Sequence, residues 1–205
     1  MYGNDMKMKR LFIFCLMGLL FAACSKDEED VYNNCFEGPN HSVIRYQGIW
    51  SIDDEPIEQT FTIVYSNGIG GVLVGFPSFP YQAFTDRVLT EVKVTEIVKQ
   101  ERPFQIQVSM TGNSMYNNYY KADNSILFGG SATYLSYDVL TQDVGKITVR
   151  LGLNPANSVF SFNSTAASCI LVVDHVDIDY ENGEHKTLEL SPVRKLTFVS
   201  TKRIK

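Results

Sequence analysis

The chain has 205 residues, a net charge of −5, and 44% hydrophobic against 20% charged residues. This balance predicts a globular protein that can bury a hydrophobic core. The acidic charge, without any basic cluster, argues against a nucleic-acid or anionic-membrane surface, and we therefore expect no nucleic-acid partner.

The N-terminus has the pattern of a secretory signal peptide. Lys7, Lys9 and Arg10 form a short positive region, and residues 11–21 are almost wholly apolar. A positive start, an apolar segment of this length and an exit of small residues are typical of such a signal. A membrane-spanning helix would need roughly 20 consecutive apolar residues. We expect residues 1–23 to be the signal peptide.

The apolar segment ends at Ala22, Ala23 and Cys24. This ending resembles a bacterial lipobox, in which small residues precede a cysteine that is lipidated and becomes the mature N-terminus. The resemblance implies lipidation at Cys24 and makes membrane lipid a partner of the chain. Two or more acyl chains give stable anchoring. The alternative is an ordinary signal peptide followed by an incidental cysteine.

An acidic segment follows the cysteine. Lys26, Asp27 and Glu28 resemble the export signal of surface lipoproteins of the Bacteroidetes phylum. The resemblance implies an outer-membrane lipoprotein that faces the medium, with the periplasmic leaflet as the alternative location. The alternative for the charged residues 26–30 is a solvated tether, because a charged segment that lacks apolar residues cannot pack. Both roles can hold together, and we expect residues 24–42 to be a lipidated acidic tether.

Residues 43–205 predict one all-β domain. Apolar and polar residues alternate in 60–65, 105–110 and 146–154, as in a sheet with one wet face. Further strands are predicted within 88–98, 126–137, 169–180 and 195–203, and one short helical turn within 81–87.

The connections predict how these strands are joined. Asn67-Gly68 and Asn182-Gly183 suit type I′ hairpin turns, which favour antiparallel neighbours. The expected fold is an antiparallel up-and-down β-barrel of about 8–10 strands, with a two-sheet β-sandwich as the alternative.

The only tryptophan stands near the start of this domain, in Gly48-Ile49-Trp50. This motif resembles the G-x-W of lipocalins and the wider calycin group, including small calycin-like surface lipoproteins of Bacteroidetes. In that family the tryptophan closes the barrel base and a basic residue near the last strand packs over the indole. The resemblance implies this role for Trp50 and for Arg194 or Lys195. A core tryptophan beside a turn glycine is the alternative.

Two cysteines remain after the signal peptide and the lipidation site. Cys35 and Cys169 would lie in an oxidising compartment, where disulfides persist. Either they form a bridge or they stay as two buried thiols, and the distance between their Cα atoms decides between these outcomes.

The sequence offers little for catalysis. Its three histidines accompany no nucleophile motif, no zinc spacing and no phosphate-binding loop, so we expect no enzyme, metal or cofactor. Residues 174–185 are rich in carboxylates and resemble the start of a calcium loop. Counted from Asp177, the glycine stands seventh instead of sixth, and Leu188 occupies the twelfth place, where a calcium loop has its final glutamate. A solvated strand end that leads into a hairpin accounts for the same residues.

Two aromatic segments are candidate binding loops. Tyrosine offers contact area and a hydroxyl at low entropic cost, which suits a glycan-like or apolar ligand or a surface protein partner. The candidate residues are Tyr116, Tyr119, Tyr120, Phe76, Phe79 and Tyr81. The alternative is that these rings cap the core. The sequence therefore predicts a non-catalytic binding or accessory module, or else a structural subunit or inhibitor within a cell-surface complex.

Overall fold

The computed structural model describes residues 43–68, 71–98, 104–110, 119–122, 127–128, 131–132, 135–163 and 165–204. The predicted lipobox at Ala22 to Cys24, the predicted export signal at residues 26–28, Cys35 and Tyr116 lie outside these residues. No helix among the described residues is long and apolar enough to cross a membrane.

The described elements are strands with one short helix, α1 (Tyr81–Val88). The strands are β1 (Val43–Ile52), β2 (Glu55–Pro56), β3 (Phe61–Gly68), β4 (Gly71–Phe76), β5 (Val94–Ile97), β6 (Phe104–Met110), β7 (Tyr119–Ala122), β8 (Leu127–Phe128), β9 (Ser131–Ala132), β10 (Leu135–Thr141), β11 (Gly145–Leu153), β12 (Val159–Phe162), β13 (Ala167–Tyr180) and β14 (His185–Arg203).

Eight of the described strands pair in a closed ring. Their order is β1, β3, β4, β6, β7, β12, β13 and β14, and β14 pairs again with β1. Each strand is antiparallel to the next, and the ring follows chain order. This is the up-and-down arrangement that closes a barrel and leaves it without a free edge. The predicted all-β barrel is confirmed.

The sheet of the barrel continues into a branch outside it, and we call this branch the wing. The first part of β13 pairs with β12, whereas its later part pairs with β11 from Val173 to Tyr180. β10 pairs with β11, and β5 pairs with β10 at the end of the sheet. The wing therefore consists of β5, β10, β11 and the hairpin end of β13 and β14. The two long strands of that hairpin belong to both the barrel and the wing.

The barrel interior is filled with aromatic side chains. Its largest fully buried residues include Tyr46, Trp50, Tyr65, Phe76, Phe160 and Phe198. Fully burying one large apolar side chain stabilises a fold by about 1.5–3 kcal/mol, so these rings hold the barrel together. Burial also raises the pKa of Tyr65 well above its ordinary value.

Helix α1 joins the barrel to the wing. Its buried residues are Phe84 and Thr85. Thr85 Oγ1 lies 2.7 Å from the hydroxyl of Tyr137 on β10. Burial raises the pKa of Tyr137 above its ordinary value, against the opposing effect of this hydrogen bond. The predicted helical turn at residues 81–87 is thus a helix of eight residues.

Gly48 allows β1 and β14 to approach closely. A Cβ atom at this position would lie 2.2 Å from the carbonyl oxygen of Val199 and 2.5 Å from Cζ of Phe198. The pairing of the two strands also shifts register between Gln47 and Gly48. A bulge with a glycine is a common way to bend a barrel strand.

The turns differ from those predicted. Asn67 and Gly68 pair with Val72 and Gly71 as strand residues, so they do not form the hairpin turn. In the second hairpin, Tyr180 and Glu184 are joined by a backbone hydrogen bond of 2.9 Å. The three residues between them end in Gly183, which has φ of 84°. This is a three-residue loop with glycine in the left-handed region, instead of a two-residue type I′ turn.

Two predicted strands are shorter than expected. Within 88–98 only Val94–Ile97 forms a strand, because the preceding residues complete α1 and its exit. Residues 126–137 contain β8, β9 and the start of β10 in place of one continuous strand.

Cys169 is a free, fully buried thiol on β13. It lies opposite Phe160 on β12 and Phe198 on β14. Whereas Cys35 lies outside the described residues, Cys169 matches the alternative of a buried free thiol, since it is enclosed among core residues. Burial raises the pKa of its thiol well above the ordinary value, which disfavours the reactive thiolate.

Candidate functional site

The described surface contains an open groove of about 590 Å³ outside the barrel, and we call it the outer groove. Three segments form it: the connection from β2 to β3, the start of α1, and β5. The side chains that matter to its chemistry are Ile57, Gln59, Phe79, Tyr81, Gln82, Asp86 and Glu96. The groove thus lies where the barrel meets the wing.

Phe79 and Tyr81 form the aromatic floor of the outer groove. Phe79 is only 5% exposed, and its ring centroid lies 5.5 Å from that of Trp50. Tyr81 is half-buried, with ring centroids at 4.9 Å from Phe104 and 5.0 Å from Tyr137. Because both rings rest on the core, the floor is rigid and needs little ordering when a ligand binds.

Polar side chains border this floor. Helix α1 places Gln82 and Asp86 one turn apart, and Gln82 Nε2 donates a hydrogen bond of 2.7 Å to Asp86 Oδ1. Gln59 stands exposed on the β2–β3 connection. Glu96 stands exposed on β5, opposite Leu140 in the pairing with β10. The border therefore combines amides, which donate and accept hydrogen bonds, with carboxylates, which accept them.

The nearest arginine on α1 is directed elsewhere. Arg87 donates hydrogen bonds of 2.6 Å to the carbonyl oxygen of Ile52 and 2.8 Å to the carboxylate of Glu55. The guanidinium thus ties the helix to the β1–β2 hairpin, and Arg87 is not among the residues that line the groove.

The structure brings two of the six predicted aromatic residues, Phe79 and Tyr81, to this groove. Phe76 is fully buried, and its ring lies 5.9 Å from Trp50, so the prediction that it contacts a ligand is wrong. Alternation along β4 directs Phe76 into the barrel. Tyr119 and Tyr120 belong to the barrel strand β7, where they pair with Ser161 and Phe160, and not to a loop as predicted.

Trp50 and Arg194, its predicted basic partner, contact different residues. The indole has ring contacts with Phe76, Phe79 and Phe198 in the described part of the chain. Arg194 Nη1 instead donates a hydrogen bond of 2.9 Å to Asp53 Oδ2. The packing of Arg194 or Lys195 over the indole stays a prediction.

The carboxylate-rich segment 174–185 forms a polar network on the wing. His185 Nδ1 lies 2.8 Å from Asp179 Oδ1, and His185 Nε2 lies 3.3 Å from Thr187 Oγ1. Arg150 forms an ion pair with Asp179. The order of hydroxyl, imidazole and carboxylate is that of a catalytic triad.

Its geometry does not activate the hydroxyl, however. Thr187 Oγ1 donates to Asp177 Oδ1 at 2.5 Å, so its proton is directed away from His185. The side chain of His185 is 51% exposed on the sheet face. Within the described ranges, no group of three or more His, Cys, Asp or Glu residues could hold a metal ion. We assign these residues to the stability of the hairpin end.

The sequence patterns did not identify the polar residues of the groove, which are Gln59, Gln82, Asp86 and Glu96. The spacing of Gln82 and Asp86 on one helical face was a readable signal. Nothing in the sequence places Glu96 beside that helix, since the position of β5 depends on its pairing with β10.

A comparison of the chain with known protein families, characterised proteins and solved structures found no match. The function is therefore argued from the outer groove and from the motifs of the sequence.

Proposed function

We propose that this chain is a surface-anchored, non-catalytic lipoprotein of the outer membrane that binds an elongated glycan in the outer groove. The lipobox ending at Cys24 and the acidic segment after it motivate the anchor and the location. The groove is the observation that carries the binding function, because its volume of about 590 Å³ suits a small ligand or a few units of a longer one.

The outer groove is a better ligand site than the barrel interior. A lipocalin-like cavity requires free space among the inward-facing side chains. Here those positions hold buried rings such as Tyr46, Tyr65 and Phe198. A ligand inside the barrel would have to displace them, at a cost of several buried side chains. A ligand outside it displaces only water.

The chemistry of the groove suits a carbohydrate. The apolar face of a sugar ring can pack on Tyr81, while its hydroxyls meet the amides of Gln59 and Gln82 and the carboxylates of Asp86 and Glu96. An open groove also lets a polymer chain extend beyond both ends, which an enclosed cavity would prevent.

Calorimetry on the purified full-length chain in detergent tests this proposal. The probes are hexasaccharides of neutral glucose, xylose and N-acetylglucosamine and of charged glucosamine and galacturonic acid. At least one should bind. Gln59→Ala should weaken binding about tenfold, or about 1.4 kcal/mol, without a change in melting temperature, because Gln59 is exposed. The matched control is Gln142→Ala, an exposed glutamine outside the groove.

A second pair of variants separates contact from packing. Tyr81→Phe keeps the ring and should retain most of the affinity, whereas Tyr81→Ala should abolish binding. Circular dichroism shows whether each variant is folded. If no hexasaccharide binds, or if Gln59→Ala and Gln142→Ala behave alike, the groove is not a glycan site.

The alternative function is that of a subunit or inhibitor in a cell-surface complex. One observation favours it: Ile49 and Val199 lie opposite each other on β1 and β14 and are 42% and 56% exposed. A single apolar pair is much smaller than the patches that mark stable interfaces. The glycan-binding proposal therefore ranks first.

A further inference from the structure

We infer that the outer groove selects a positively charged glycan, one whose sugars carry free amino groups, over neutral and acidic glycans. This inference rests on the proposed function and names the ligand class for the same groove.

The charges that line the groove carry the inference. Apart from the Tyr81 phenol, its ionisable side chains among the described residues are Asp86 on α1 and Glu96 on β5, and no described lysine or arginine lines it. Arg87, the nearest cation on the helix, is occupied by Ile52 and Glu55. The local potential is therefore negative, and it attracts cations and repels carboxylates on a ligand.

Both carboxylates can accept further hydrogen bonds. Asp86 Oδ1 accepts a hydrogen bond from the side-chain amide of Gln82, which leaves Oδ2 for a ligand. The carboxylate of Glu96 is exposed and has no hydrogen-bond or ion-pair partner among the described residues. An ammonium group donates up to three hydrogen bonds, so it can satisfy carboxylates that a neutral acetamide or hydroxyl satisfies less well. The rings of Phe79 and Tyr81 add attraction for a cation above the floor.

The shape of β5 favours a glycan over a basic peptide. A peptide would bind most readily by adding a strand to the free edge of the wing. β5 has only four residues, its register with β10 shifts between Leu140 and Thr141, and it exposes Glu96. Short, irregular and charged edge strands resist such addition. A sugar needs no backbone pairing and uses only the side chains of the groove.

The test compares the hexamer of glucosamine with the hexamer of N-acetylglucosamine, which differs only by acetylation of each amine. Calorimetry on the full-length chain, at a pH where the amines are protonated, should show at least about tenfold tighter binding of the amine form, a difference of about 1.4 kcal/mol. Galacturonic acid hexamers should bind more weakly than either. The preference should shrink as salt is raised to about 1 M.

Three single substitutions locate the preference. Glu96→Gln and Asp86→Asn should each weaken binding of the amine form about two- to fivefold, the range for exposed ion pairs, with little effect on the acetylated form. The double variant should lose the preference. Glu91→Gln is the control, because it removes the same charge from an exposed residue outside the groove lining.

The outcomes are distinguishable. Equal affinity for the amine and acetylated forms, or equal effects of Glu91→Gln and Glu96→Gln, overturns the charge selection and leaves the proposed function standing. Tighter binding of hexalysine than of the glucosamine hexamer overturns it in favour of a basic peptide. If no saccharide binds at all, the proposed function fails as well.

Discussion

At the scale of single residues, Trp50 joins the barrel interior to the outer groove. Its indole is fully buried, and it contacts Phe198 inside the barrel and Phe79 at the groove floor. Its Nε1 has no hydrogen-bond partner within the described part of the chain. The ring therefore contributes through packing, and the groove floor depends on it.

We expect Trp50→Ala to lower the free energy of unfolding by about 3–5 kcal/mol, the usual cost of deleting a large buried ring. Trp50→Phe should cost less, because most of the packing remains and a buried unpaired N–H is removed. Urea unfolding checks both values. As the only tryptophan, Trp50 should also give blue-shifted emission that iodide quenches poorly. An exposed spectrum, or a loss well under 1 kcal/mol for Trp50→Ala, would contradict the core position.

At the scale of elements, the β1–β2 hairpin turn is fixed to β14. Its turn residues Asp53 and Asp54 have φ of 52° and 67°, in the left-handed region that favours glycine or asparagine. Asp53 Oδ1 accepts a hydrogen bond of 2.9 Å from the backbone N–H of Lys195, and Oδ2 accepts one from Arg194. The aspartate thus offsets backbone strain by its hydrogen bonds to the middle of β14.

Substitutions at Asp53 should separate these two contributions. Asp53→Ala loses both hydrogen bonds and keeps an unfavourable backbone, so we expect a loss of about 2–3 kcal/mol in stability. Asp53→Gly loses the bonds but removes the strain, and its loss should be about 1 kcal/mol smaller. Asp53→Asn should be the mildest. Thermal unfolding measures the order, and an alanine variant as stable as the asparagine variant would show that the turn is not fixed by Asp53.

Some of these elements could be predicted from the sequence, because a pattern of apolar and polar residues shows which face of a segment is buried. Alternation identifies strands such as β6 and β11, because one face of each is buried. The Asn67-Gly68 turn was misplaced because strand register, not local preference, decides which residues connect β3 and β4. Residues 89–93 contain the apolar side chains of Leu89 and Val92, yet they form the exit from α1. Helix exits and short strands share this pattern.

The candidate site was only half predictable for the same reason. Phe79 and Tyr81 follow one another on a proline-rich segment, so their proximity is local. Glu96 reaches the groove through the pairing of β5 with β10. Phe76 lies on β4, and its ring is buried in the barrel. Phe79 follows the end of that strand, and its ring lies beneath the groove. Such differences depend on tertiary contacts and not on the segment alone.

At the scale of the whole molecule, the barrel provides stability and its junction with the wing provides the site. The described strands of the barrel pair in a ring, and buried rings such as Tyr46, Trp50 and Phe198 occupy its interior. The wing shares β13 and β14 with it and carries β5 to the groove. The residues proposed to bind a ligand thus surround an aromatic floor that rests on the core, which suits the proposed surface-anchored module.

The anchor itself gives the last prediction. We expect Cys24→Ala to abolish lipid labelling and to release the protein from the membrane fraction, because the thiol that accepts the lipid is gone and a stable anchor needs two or more acyl chains. The change should not affect glycan binding, since the outer groove lies within residues 57–97. Detergent phase partition and metabolic labelling measure the anchor.

Replacing Lys26 to Asp30 with alanines is the matched variant for location. It keeps Cys24, so lipid labelling should persist, but external protease should no longer reach the protein in intact cells. Partition of Cys24→Ala into the detergent phase like the wild type would contradict the lipoprotein assignment. Unchanged protease access in the alanine variant would show that the acidic segment does not direct export. It would then serve only as a solvated tether between the membrane and the domain.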